Sequence, residues 1–312
     1  MLDPTGPDGA RTEPQQAQQV VRGHFGPARN GVNGRVNQTT RNLPDSVVVS
    51  QRGAVTRVRL SRPTKRNAID AEMIADIERV FSCLPEGTRA VVLEGDGGHF
   101  CAGADLALVT EADGPGAAVR MSRTWHRAFD QIESGNVPVI AVLHGAVIGG
   151  GLELAAAAHI RVAEQSTYYA LPEGMRGIFV GGGGAVRIPR LIGTSRMIDM
   201  MLTGRTYSAE QGALLGFSQY VVSDGQGLAK AIELAERIAT NTTLSNFAVT
   251  QSLPRITRSD PEAGLLMESL MMAVVAGDGD AKMRVRDFLR KRAAKVSHPE
   301  PGLPMQPFDT GE

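Results

Sequence analysis

The chain has 312 residues, 42% hydrophobic and 21% charged, which is enough apolar side chain for one large core or two modest ones. Its 33 basic and 33 acidic residues balance to a formal charge of zero, so the basic footprint of a nucleic-acid-binding protein is missing. Two cysteines, Cys83 and Cys101, are too few for a disulfide framework, and no apolar run approaches a membrane span or a signal-peptide core; a cytoplasmic protein without membrane contact is expected.

Residues 1–45 are rich in Gly, Gln, Asn, Arg and Pro with scarcely any apolar periodicity, and are expected to be a disordered extension. Residues 47–50 and 55–60 then predict a hairpin around Gln51-Arg52-Gly53. A basic loop follows, Arg62-Pro63-Thr64-Lys65-Arg66-Asn67. Asp70 reads as a helix N-cap, with Met73, Ile74, Ile77, Val80 and Phe81 at helical spacing behind it. Residues 89–94 form a second, buried strand leading into a Gly-rich stretch. Residues 119–134 carry a helical pattern that includes the only tryptophan, Trp125, read here as core.

The stretch 138–173 is the centre of the chain. Its apolar, β-branched run 139–143 predicts a buried strand, and Gly149-Gly150-Gly151 then turns the backbone into an Ala-rich helix over 152–158. The first amides of such a helix lack intrahelical partners and carry the positive end of its dipole, so they can hold negative charge developing on a ligand oxygen. Glu153 sits beside them in the first turn. Taken alone, the stretch is equally compatible with simple close packing. A dinucleotide fold is disfavoured, because Leu stands where the third glycine of that fingerprint belongs, and no Gly-Lys-Ser/Thr follows to make a P-loop.

Further on, Gly181 to Gly184 lead into a helix over 185–192, and Ser208 with Gln211 forms a capping box. From Gly227 the pattern is purely helical, which predicts a core region over 46–226, a helical C-terminal region over 227–295 and a loose tail over 296–312. Strands alternating with helices indicate an α/β layered domain. His99, His126, His144 and His159 lack metal-ligand spacing, so no metal is expected.

Five blocks in order carry a resemblance: Leu60-Ser-Arg-Pro-Thr-Lys-Arg-Asn-Ala-Ile, Phe100-Cys-Ala-Gly-Ala-Asp-Leu, His144-Gly-Ala-Val-Ile-Gly-Gly-Gly-Leu-Glu-Leu-Ala, Leu171-Pro-Glu with the glycine turn after it, and Asp287-Phe-Leu-Arg-Lys-Arg. Over residues 46–295 the chain resembles the enoyl-CoA hydratase/isomerase, or crotonase, superfamily. The resemblance implies a spiral of ββα units with a helical C-terminal trimerisation region, and a homotrimer or homohexamer. It implies a lyase of fatty acid metabolism that hydrates a 2-trans-enoyl-CoA, with Glu153 and Glu173 as the catalytic carboxylates and the backbone N–H groups of Ala104 and Gly150 as the oxyanion hole. Substrate contacts would come from Arg62, Lys65, Arg66, Ala68, Ala102, Asp105 and Leu106, with Phe288 and Lys291 reaching coenzyme bound to a neighbouring subunit. Coenzyme A enters as part of the acyl-CoA thioester, and no separate cofactor is expected. Isomerase, hydroxyacyl-CoA dehydratase and hydratase-lyase activities share the same enolate, and a non-enzymatic RNA-binding relative is the remaining alternative, disfavoured by the neutral charge. Two departures flank the expected acid: Gly174-Met175-Arg176 follows Glu173, and Phe179-Val180 replaces an aliphatic-Pro pair. The resemblance implies that residues 107–118 line the acyl side, as a segment expected to be mobile.

Overall fold

The computed structural model describes residues 46–111 and 113–292; the expected extension over 1–45 and the tail over 296–312 lie outside the described residues. In chain order the core comprises β1 (Val47–Arg52), β2 (Val55–Leu60), α1 (Ala71–Ser82), β3 (Ala90–Gly95), α2 (Ala107–Glu111), α3 (Gly114–Glu133), β4 (Val139–Leu143), β5 (Ala146–Ile148) and α4 (Gly150–Ala157). It continues with β6 (Ile160–Glu164), β7 (Tyr168–Ala170), α5 (Gly184–Ile192), α6 (Thr194–Thr203), β8 (Tyr207–Ser208), α7 (Ala209–Leu215), β9 (Tyr220–Val222) and α8 (Gly227–Ala239). Helices α9 (Thr243–Phe247), α10 (Leu253–Ile256), α11 (Pro261–Gly277) and α12 (Gly279–Leu289) complete the described chain.

The large sheet runs β1-β2-β3-β4-β6-β9; the β1–β2 hairpin is antiparallel and the remaining pairs are parallel. Helices cover both its faces. Val91, Leu93, Ala141 and Leu143 join the main core with Ile77 and Phe129, whereas Val92, Ile140 and Val142 meet Ala231, Leu234 and Ala235 of α8. A parallel sheet buried on both sides requires apolar side chains in both directions, which is why 89–94 and 139–143 are legible as strands without alternation.

Within the described residues the chain four times runs along this sheet, steps off into a short extended segment and returns as helix. The sequence of steps is β2, Ile69, α1; β3, the 101–104 segment, α2 and α3; β4, β5, α4; and β6, β7, α5. The short segments form a second layer: Ile69 bridges Ala104, Cys101 bridges Val147, β5 pairs parallel with β7, and β7 pairs antiparallel with β8. This is the expected spiral of ββα units followed by helices.

Two local expectations change. Strand 139–143 does not run straight into the glycine turn, because at Gly145 (φ 53°) the chain bends off the large sheet, too close to Gly98 and His99 for a Cβ, and first forms β5. Helix α3 starts at Gly114 and not at 119, since Pro115 lies in the first turn, where a missing N–H costs nothing. Residues 107–111 form α2, and 114–118 are the first residues of α3. Asp70 does cap α1, accepting from the Met73 amide, and the Ser208–Gln211 capping box forms with both its bonds.

The C-terminal end of α4 is held by a buried cation. Arg161, on β6, donates to Ala158 O (2.6 Å), Ala155 O (3.4 Å) and Phe217 O (2.5 Å), and burial pulls its pKa down to about 10. Arg161→Ala would strip the donor from three buried carbonyls. It is expected to lower unfolding free energy by about 3 kcal/mol, measured as a shift in the urea midpoint at unchanged slope.

Candidate active site

Gly149 caps α4, and Gly150, its first residue, has no intrahelical acceptor for its N–H. The second donor is placed by strand geometry. Ile69 N donates to Gly103 O and Asp105 N donates to Ile69 O (both 2.8 Å), so Ala104, between them, directs its own N–H away from that bridge. The two donors are neighbours: a Cβ on Gly150 would lie 3.3 Å from Ala104 N, and one on Gly103 would lie 3.2 Å from Gly150 N. The same imagined Gly150 Cβ would fall 2.6 Å from the Trp125 ring, which also packs edge-on against Phe129. Trp125 is therefore core, as expected, and at the same time a wall of the site.

Glu153 is 3% exposed. Its Oε1 accepts from Gly182 N (2.8 Å) and Gly184 N (2.7 Å), at the glycine turn before α5. Burial pushes its pKa up, the Gly184, Gly182 and Gly181 amides and Arg187 oppose this, and the net direction is upward.

Glu173 follows β7 and is 6% exposed. Its Oε1 lies 2.7 Å from where a Gly149 Cβ would be, so only glycine, here at φ 53°, leaves it room. Its Oε2 is buried and has no hydrogen-bond partner among the described residues. Burial raises the Glu173 pKa to about 7; the Glu153 charge adds to the rise, while a bond from its own backbone amide and Arg176 partly offset it. Two buried carboxylates thus share one site, both pushed upward by burial, with Glu153 alone accepting from two glycine amides.

The basic loop is fastened to this site by Asn67, whose fully buried side chain donates to Asp96 O, His99 O and Phe100 O and accepts from Arg62 N. Ala102 N donates to Arg66 O, and Ala68 N to Lys65 O. Arg62 is engaged within the protein, paired with Asp70 (2.9 Å) and Asp105 (3.5 Å), whereas Lys65, Arg66 and Leu106 are exposed. Phe288 and Lys291 are also exposed, at the end of α12, a helix with no buried residue. A cavity of about 310 Å³ lined by Ile74, Leu108, Met121, Thr124 and Trp125 adjoins the Trp125 wall. Among the described residues no three His, Cys, Asp or Glu side chains gather as a metal site. Sequence reasoning did not assign Asn67, Gly182 or Gly184 a part in the site; their one signal was position inside the quoted blocks.

The family model for enoyl-CoA hydratase/isomerase matches residues 50–298. The chain is 34% identical to enoyl-CoA hydratase EchA19 of Mycobacterium tuberculosis over 262 residues, 82% of this chain and 97% of that protein. Over 147 residues it is 41% identical to the fatty acid oxidation complex subunit alpha of Shewanella amazonensis, covering 46% of this chain and 21% of that one. A crystal structure of a candidate enoyl-CoA hydratase from Rhodopseudomonas palustris superposes with a TM-score of 0.77 at 55% identity, covering 80% of this chain and 97% of the other.

The Glu173 environment has a consequence for stability. Its folded pKa lies above the ordinary 4.5, so the stability it contributes is present at low pH and is lost as pH rises through about 7. Glu173→Gln cannot ionise. Its melting temperature is expected to gain on wild type as pH rises from about 4.5 to about 7 and to keep a constant lead above that; a gap independent of pH would show that Glu173 is not held protonated.

Proposed function

The chain belongs to the enoyl-CoA hydratase/isomerase family, and on that footing we propose that it adds water across the double bond of a 2-trans-enoyl-CoA. The reading is carried by two buried carboxylates in unlike surroundings, Glu153 accepting two glycine amides and Glu173 with one buried oxygen unpartnered among the described residues, in a site that also holds two adjacent backbone donors. The thioester oxygen would be held by the Ala104 and Gly150 amides, each worth about 3 kcal/mol to the enolate. Glu153, fixed by its two glycine amides, would take a proton from water as the hydroxyl adds to the β-carbon. Glu173, which can carry a proton near neutral pH, would deliver it to the α-carbon. One water is consumed, and the proton left on Glu153 returns to Glu173 through solvent. Isomerisation within the same pocket needs only one carboxylate, so the presence of both favours hydration.

Coenzyme A enters as part of the substrate. In this reading Lys65 and Arg66 meet its phosphates, the backbone at Ala68 and Ala102 lies along it, and Asp105 and Leu106 border it. Arg62 steadies the loop through Asp70 and Asp105. The acyl group occupies the cavity beside Trp125. A cytoplasmic location is part of the reading; no helix among the described residues is long and apolar enough to cross a membrane.

Support for the assembly comes from α11 and α12. Leu265, Leu266, Leu270, Met272, Val274 and Phe288 are exposed on a single chain, and the only buried residue of α11 is Gly264. That many exposed apolar side chains on two successive helices call for a partner. We assign it to copies of the same chain in a trimer, or a hexamer of two trimers, which would bring Phe288 and Lys291 to a neighbour's coenzyme.

Glu153→Gln and Glu173→Gln are each expected to lower kcat by about a hundredfold or more, read from the loss of enoyl-thioester absorbance. Folded variants with wild-type kcat would reject the assignment. Light scattering is expected to give a trimer or hexamer, and truncation before Asp280 to reduce both assembly and turnover; a stable, active monomer at micromolar concentration would rule the assembly out.

A further inference from the structure

The amide of Gly182, one of the two that hold Glu153, is itself held from behind. Ser122 on α3 donates its hydroxyl to Gly181 O at 2.7 Å. The Gly181 carbonyl and the Gly182 N–H belong to one planar peptide and point in opposite directions. Ser122 therefore grips one side of the peptide whose other side donates to Glu153 Oε1 at 2.8 Å. One helical turn along, His126 Nε2 lies 3.3 Å from the same Oγ. Because the only hydroxyl hydrogen of Ser122 goes to the carbonyl, His126 supplies the hydrogen in that contact, from its Nε2–H tautomer.

The next peptide is clamped too. Gly182 O accepts from Arg187 Nη1 (3.0 Å), and Arg187 Nε is held by Glu133 Oε2 (2.7 Å), again on α3. Burial alone would push the Glu133 carboxyl up, but Arg258 and Arg187 outweigh it, and its pKa is lowered. Four consecutive glycines have many backbone states open to them, so a turn at 181–184 that presents two amides to one carboxylate oxygen needs outside restraint.

Resting on the reading of Glu153 as a catalytic carboxylate, we propose that Ser122 is a positioning residue: through the Gly181–Gly182 peptide, and seated by His126, it fixes the amide that orients Glu153. The bond chain runs from His126 to Ser122, to the peptide, to the carboxylate, with every donor aimed the same way, so each bond polarises the next. The charged groups that bear on Glu153 are Glu173 and Arg187, and His126 and Arg123 stand behind Ser122 on α3. All four remain in place when only Ser122 is changed.

The test compares Ser122→Ala and Ser122→Thr with wild type, with Glu153→Gln as reference, measuring kcat, KM, the pH dependence of kcat and the melting temperature. Loss of the hydroxyl weakens a bond that favours the ionised carboxylate, so the acid limb of kcat should move to higher pH. At the optimum, kcat should fall about three- to tenfold, the usual effect of one hydrogen bond. KM and melting temperature should stay near wild type, and Ser122→Thr, which keeps the hydroxyl, should restore both kcat and the acid limb. A Ser122→Ala enzyme with wild-type kcat and acid limb, while Glu153→Gln is inactive, would overturn the proposal and leave the hydratase reading intact. So would a loss of kcat without a shifted limb that threonine fails to rescue. An active Glu153→Gln enzyme would instead remove the reading itself, and this proposal with it.

Discussion

Two backbone bridges, Ile69 to Ala104 and Cys101 to Val147, hold the site in register. They join successive turns of the spiral in its second layer, so each turn ends its short extended segment beside the end of the previous one. The groups assigned to the reaction lie at or just beyond those ends: Ala104 before α2, Gly150 and Glu153 at the start of α4, and Glu173 after β7. Ligands gather at the carboxyl ends of strands in open α/β folds for the same geometrical reason. Since both donors proposed for the oxyanion are main-chain amides, their placement is fixed when the chain folds and would cost no reorganisation during reaction. Asn67 reinforces the arrangement by tying three carbonyls of the 96–100 loop to the basic loop.

A second constraint is electrostatic. Burying two carboxylates side by side is unfavourable, and the protein compensates the two unequally. Glu153 receives two glycine amides on one oxygen and the field of Arg187, while Glu173 has a buried oxygen unpartnered among the described residues and bears the charge of its neighbour. In the proposed reaction this asymmetry of surroundings distinguishes the two roles without any difference in side-chain chemistry. Glu133 shows the opposite solution: two arginines, one from α5 and one just before α11, keep it ionised, and the pairing ties the glycine turn to the segment that leads into the C-terminal helices.

What the sequence by itself determined was whatever depends on near neighbours. The doubly buried strands at 89–94 and 139–143, the Asp70 cap of α1, the Ser208–Gln211 capping box and the placing of Glu153 in the first turn after a glycine run all follow from residues a few positions apart. The ordered motif blocks placed the chain in its family for a similar reason, each block being continuous in sequence. Tertiary structure alone decided the rest. Strands β5 and β7 have three residues each, too few to show a period, and exist because they pair with each other. Arg62 became a buttress because the fold brought Asp70 and Asp105 to it. The amides that hold Glu153 come from 29 and 31 residues away, and the raised pKa of Glu173 comes from burial beside another carboxylate. Composition and periodicity report local preference, whereas a site is made of pairings between distant segments, and those are chosen only when the core closes.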